Sequence, residues 1–149
     1  PQPGNIVVWD KDQSSATYDA VLWLAEKFGN VFLLTSQAGF AMSESLINRQ
    51  GILHRLRLSK VKLLVSSKLT VTEADLTEGV VKYNDIATES RGRIENVSAL
   101  TYASPRVPRL DLLPDLEAAG IVPHIIGDAQ GPRRLVEAMS DGYKLGLKI

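Results

Sequence analysis

At 149 residues the chain is long enough for one domain with a real core and too short for two ordinary ones, and 44% hydrophobic with 23% charged residues excludes a disordered chain. The 17 basic residues balance 17 acidic ones, so net charge gives no reason to expect nucleic acid or an anionic membrane as partner. Without cysteine the chain has no disulfide, no thiolate nucleophile and no cysteine ligand for zinc or an iron–sulfur cluster.

Asn5 opens a strand, a turn and a helix that organise the rest. Ile6 to Trp9 is a short unbroken apolar run, which suits a strand buried on both faces of a parallel sheet, and Asp10 ends it. Residues 11–17 form a polar loop. Val21, Leu24, Ala25 and Phe28 then mark one apolar face of a helix, with Ser15 or Thr17 as its cap and Gly29 as its stop. A second apolar run, Val31 to Leu34, completes a strand–helix–strand unit, the core of a Rossmann-like domain. In such a unit glycines in the first turn let the backbone approach a pyrophosphate on the helix N-terminus. This turn has no glycine. Where a site selecting NAD carries Asp or Glu at the end of the second strand, the chain offers Thr35 and Ser36. Asp10, Ser14, Ser15 and Thr35 are therefore the candidate cofactor contacts at this edge.

Ser43 is expected to cap a helix through Leu46, Ile47, Leu53 and Leu56, interrupted or bent near Gly51. Arg49, Arg55, Arg57, Lys60 and Lys62 make its polar side basic, which reads as a solvated face before it reads as an anion site. Short segments rich in Val and Thr follow at 63–65, 69–72 and 79–83, with a weaker strand around 86–88 bracketed by the Asn84-Asp85 and Arg91-Gly92 turns. They predict one parallel strand and then an antiparallel meander. Ile94 to Thr101 returns to the main sheet, and Pro105 and Pro108 end it. A short helix over 110–119 closes at Gly120, residues 121–126 form a last buried strand, and Pro132 leads a helix with Leu135, Val136, Met139 and Tyr143 on one face.

No hydrolase-like constellation stands out. His54, on a helix, and His124, in the expected last strand, have no nucleophile or ligand partner nearby in sequence and read as structural. Asp10 and Asp12 could serve as an acid–base pair, but at a strand end beside a helix start they read as turn formers, and Asp12 complements the helix dipole where it would repel a phosphate. Trp9 and Trp23 read as core or interface. The sharpest motif is His124-Ile-Ile-Gly-Asp-Ala-Gln-Gly-Pro-Arg133, with Ala138 and Gly142 beyond it. Gly127-Asp128 closing a strand ahead of a Pro-led helix puts a carboxylate at the edge where open α/β sheets bind ligands.

Gly4 to Asp10, Gly29 to Ser36 (GNVFLLTS), the Arg55-Leu56 region and GDAQGPR fall in the order seen in one family. The chain resembles the C-terminal nucleotide-binding region, like that of the pyridine-nucleotide-disulfide oxidoreductases, of the NADH:flavin oxidoreductase family that includes trimethylamine dehydrogenase, histamine dehydrogenase and dienoyl-CoA reductase. The resemblance implies an α/β fold, a Rossmann-like three-layer domain with a parallel sheet and an antiparallel β meander over residues 1–149. It further implies that 1–120 is the inserted NAD(P)-type domain and 121–149 the returning strand and helix of the FAD- or ADP-binding domain. In that pattern Gly127 and Asp128 contact the flavin ribityl or the nucleotide. The parent enzyme is expected to use FMN, an iron–sulfur cluster, FAD or ADP, and NAD(P)H, while the isolated chain is expected to carry no cofactor and to be inactive alone. The family's glycine fingerprint is missing at Asp10 to Ala16, as in the amine-dehydrogenase branch, and its A-T-G run reads Tyr102-Ala103-Ser104. The implied function is thus the nucleotide-binding-type domain of a flavin-dependent oxidoreductase, the alternative being a degenerate Rossmann domain with a structural or subunit-contact role.

The expected partners are the remainder of the parent flavoenzyme and, as a second possibility, another copy of the chain, with no nucleic acid and no membrane. No apolar stretch reaches the length of a membrane span, and PQPGN is no signal peptide, so a cytoplasmic location is expected. The missing initial Met is expected of a processed chain or of a piece of a larger one.

Overall fold

In a computed structural model, which describes residues 2–149, the chain divides into two compact units, one closing at Ser104 and the other spanning Pro105–Ile149. This boundary lies ahead of the 120/121 junction implied by the resemblance.

The first unit holds the α/β fold expected from the sequence. Strands β1 (Gln2–Asp10), β2 (Phe28–Thr35), β3 (Lys62–Leu64) and β7 (Val97–Ala103) form a parallel sheet in the order β3-β2-β1-β7. The apolar runs of the two central strands, β1 and β2, are continuous because both faces are covered, whereas β7 at the sheet edge is largely exposed. On one face Ile6, Val8, Val31 and Leu33 pack with Tyr18 and Val21 of α1 (Ser15–Lys27) and with Ile52 and Leu56 of α2 (Leu46–Leu58). On the other, Val7 and Leu34 pack against Val81 and Ile94 of an antiparallel meander, β4 (Ser67–Leu69), β5 (Val81–Asp85) and β6 (Arg91–Ile94), in the order β4-β5-β6. Helices, parallel sheet and meander make the three layers. A fully buried leucine such as Leu33 contributes about 1.5–3 kcal/mol relative to leaving it exposed.

Several local expectations are corrected. Ser14, not Ser15 or Thr17, caps α1, its hydroxyl accepting from the Thr17 N–H. Gly29 does not stop the helix: α1 passes at Phe28 straight into β2, and Gly29 lies inside the strand. Ser45 rather than Ser43 caps α2, which runs through Gly51 without a break. Residues 86–88 are a turn, because Asp85 Oδ1 accepts the Ala87 and Thr88 N–H groups at 2.8 and 3.1 Å and bends the chain there. Strand β6 instead begins at Arg91, where a turn was expected; the Tyr83 ring lies over Gly92, leaving no room for a side chain. A short helix, α3 (Glu73–Thr77), lies between the segments expected at 69–72 and 79–83 and is held by a reciprocal capping box between Thr72 and Asp75. Trp23 is exposed, whereas Trp9 packs partly buried on the meander side.

In the second unit, α4 (Leu113–Ala118), a 3₁₀ turn (Gly127–Ala129) and α5 (Leu135–Gly146) are the regular elements among the described residues. Residues 121–126 are not a strand, since no strand of that unit is there to pair with them, and His124 is exposed rather than buried. Pro132 lies before the helix, whose N-cap is Arg134. No helix among the described residues is long and apolar enough to cross a membrane.

Candidate functional site

The carboxyl edge of the parallel sheet is where the first turn would receive a phosphate. Asp10 ends β1 there with no solvent exposure, and Thr35 ends β2 equally buried. Between them lies Gln13, in the left-handed region at φ 57°, an unusual conformation for a residue with a side chain. That conformation lets Gln13 donate twice to Asp10: its backbone N–H to Oδ1 at 2.8 Å and its Nε2 to Oδ2 at 3.0 Å. The same Nε2 reaches Thr35 Oγ1 at 3.2 Å. Tyr18, one turn into α1 and fully buried, donates its hydroxyl to Asp10 Oδ2 at 2.8 Å and accepts the Ala41 N–H at 2.6 Å.

Burial is the largest influence on Asp10 and raises its pKa. The Gln13 N–H and the Tyr18 hydroxyl pull the other way without overcoming it, and the neighbouring charge of Asp12 adds to the rise. Burial likewise pushes the Tyr18 phenol up against the pull of the Ala41 N–H, and Asp10 adds to the rise. Asp12 ends in the opposite direction. Its burial is outweighed by the Ser14 N–H and by the Thr17 and Ser14 hydroxyls, at 3.1, 2.7 and 2.8 Å, which hold it below its ordinary value. A negative charge of the chain's own thus sits at the start of α1, where a dinucleotide would place its pyrophosphate.

Of the candidate residues in the first unit, Asp10 and Thr35 are brought together through Gln13. Ser14 belongs to the Asp12 cluster instead, and Ser15 is exposed as the first residue of α1. Gln13, Tyr18 and Ala41 are central to this edge and were not singled out from the sequence. Only Tyr18 left a signal, a polar-tipped aromatic one turn ahead of the apolar face that starts at Val21. On the β7 side the edge stays open as a cleft of about 270 Å³, lined by Asp12, Thr17, Val21, Leu24, Thr101 and Tyr102 among others.

In the second unit Gly127 takes φ 59°, which glycine adopts without strain. Its N–H donates to Asp141 Oδ2, which also pairs with Arg133. Asp128 is exposed and accepts from Arg106 at 3.4 Å, and Arg106 also donates to the Arg133 carbonyl at 3.2 Å. The GDAQGPR segment is therefore folded against itself and against Arg106. A wide apolar cavity of about 540 Å³ lies beside it, lined by Leu110, Leu113, Leu116, Pro123, Ile125 and Ile126 among others.

No protein-family model matches the chain, and none of the curated proteins matches it. Solved structures do match. Histamine dehydrogenase from Rhizobium sp. 4-9 superposes with a TM-score of 0.77 at 24% identity, over 97% of this chain and 23% of that one. A 6-hydroxypseudooxynicotine amine oxidase from Pseudomonas geniculata N1 gives 0.81 at 18% identity, over 98% and 22%. A 2-naphthoyl-CoA reductase gives 0.73 at 23% identity, over 100% and 22%. The first is one of the enzymes behind the resemblance drawn from the sequence. The chain spans about a quarter of the length of these dehydrogenase, oxidase and reductase chains and has the Rossmann-like α/β fold of that part of them.

Proposed function

We propose that the chain is a nucleotide-binding-type domain of a longer flavin-dependent oxidoreductase of the amine dehydrogenase and NADH:flavin oxidoreductase type, with no catalysis of its own. The observation that carries this reading is the match along nearly the whole chain to three oxidoreductases of which it spans only 22–23%. In the proposal, residues 1–120 correspond to the inserted NAD(P)-type domain and 121–149 to the end of an FAD- or ADP-type domain. The remainder of the parent enzyme is the principal partner, FMN and an iron–sulfur cluster are bound elsewhere in that parent, and the whole is cytoplasmic.

The residues at the first turn do not fit a pyridine nucleotide. The turn has no glycine, Asp12 occupies the helix start, and the Gln13 side chain fills the space between Asp10 and Thr35. Asp128 fits a ribityl or ribose hydroxyl better, being an exposed carboxylate, with Arg106 as the group such a hydroxyl would compete with. The closed first turn also favours a second reading, a degenerate Rossmann domain kept for structural or subunit contact.

The test is the absorption spectrum of the purified full-length protein together with turnover of an added electron acceptor. A flavin band in that protein supports the proposal, and a full-length protein with neither flavin nor redox activity rejects it.

A further inference from the structure

We propose that residues 39–43 form an internal strap closing the β2 side of the first turn, with Asp10 as the positioning residue that holds it through Gln13 and Tyr18. This goes beyond the reading above, which turns on the missing glycines and leaves open what occupies the edge in their place.

The strap is tied along its length by groups that Asp10 itself orients. Tyr18, donating to Asp10, accepts the Ala41 N–H, so one hydroxyl joins strand, helix and strap. Gln13, whose amide nitrogen faces Asp10 and Thr35, must turn its Oε1 the other way, and there it accepts the Met42 N–H at 3.1 Å. The Gln13 carbonyl accepts from the Ser43 hydroxyl at 3.2 Å. From the outer side Arg49 Nε donates to the Phe40 carbonyl at 3.0 Å. Phe40 and Ala41 are buried, and the Phe40 ring meets Tyr18 edge-on with centroids 6.5 Å apart.

Backbone conformation points the same way. Gln13 and Ala41 are both left-handed although neither is glycine, at φ 57° and 53°, and they are bridged by the one network centred on Asp10. A ligand approaching over Thr35 would meet the Gln13 amide and the strap, whereas the β7 side remains an open cleft. The closure is thus one-sided and made of contacts that a single substitution can remove.

Amide hydrogen exchange on the full-length protein tests this. Gln13→Gly removes the side-chain ties while allowing the positive φ, so the fold is retained. The Met42 amide is expected to exchange about tenfold faster or more, with Val7 and Val8 unchanged. Tyr18→Phe is expected to do the same to the Ala41 amide. Wild-type protection of Met42 in Gln13→Gly together with wild-type protection of Ala41 in Tyr18→Phe overturns the strap. A titration of Gln13→Gly with ADP is read separately: uptake supports a removable closure, whereas no uptake with the Met42 amide deprotected shows that Asp12 excludes the phosphate without the strap and overturns the strap as the group that closes the edge.

Discussion

The Tyr18 hydroxyl donates to Asp10 Oδ2 at 2.8 Å, and the two residues, eight apart in sequence, are both wholly buried. The bond closes the first turn of the Rossmann-like unit onto its own helix. Because the same hydroxyl accepts the Ala41 N–H, Tyr18→Phe leaves a buried carboxylate short of a donor and a buried amide without its acceptor. A cost of about 1–3 kcal/mol follows, read as a fall in the denaturant midpoint with no change in slope. A variant as stable as the parent protein would show that water or a rearranged neighbour replaces the hydroxyl.

Two aspartates make stability depend on pH in opposite directions. Asp75, paired with Lys82 at 2.5 Å and capped by Thr72, is held down to about 2 by those partners. A lowered carboxylate adds stability that is present above its ordinary pKa and lost as pH falls through the folded value. Asp10, raised chiefly by burial, adds stability below its ordinary pKa and loses it as pH rises through the raised value. Asp75→Asn is therefore expected to show its full deficit near neutral pH and a deficit that shrinks as pH approaches about 2. Urea unfolding across that range checks it, and a deficit independent of pH would contradict it.

The parallel core was legible because strands covered on both faces leave unbroken apolar runs, as in Ile6–Val7–Val8 and Val31–Phe32–Leu33–Leu34. The return to the main sheet, expected over 94–101, is made by β7 beside β1, while Ile94 ends β6 in the meander. The same signal misled at 121–126, where an apolar run has no strand to join. Thr72 and Asp75 carry a capping signature three residues apart, but the helix it starts is too short to leave an apolar periodicity. At Arg91-Gly92 the glycine suggested a turn, yet its bareness accommodates the Tyr83 ring across the ladder, a fact of register rather than of local sequence. The candidate site was half legible. Asp10 and Thr35 followed from their place at strand ends, but the role of Gln13 depends on a positive φ that no neighbouring residue announces.

Helix α5 presents Leu135, Val136, Met139 and Tyr143 to solvent. An exposed apolar stripe of this kind tends to find a partner. In the isolated chain, residues 132–149 are expected to associate with a second copy or to exchange their amides much faster than β1. Light scattering combined with hydrogen exchange distinguishes the two. A strictly monomeric chain with α5 amides as protected as those of Val7 and Val8 would contradict both.

The first turn keeps the Rossmann-like frame and is expected to refuse the phosphate that the frame usually holds. Calorimetric titration of the protein with NADH and NADPH measures this most directly. Asp10 and Asp12 place carboxylates at the turn, Gln13 fills it, and no glycine lets the backbone approach a pyrophosphate. The expected result is no binding tighter than about 10 μM, or roughly −7 kcal/mol. A dissociation constant below that value for either nucleotide, abolished by a substitution at Ser14 or Thr35, would show that the edge is a working nucleotide site and contradict the account.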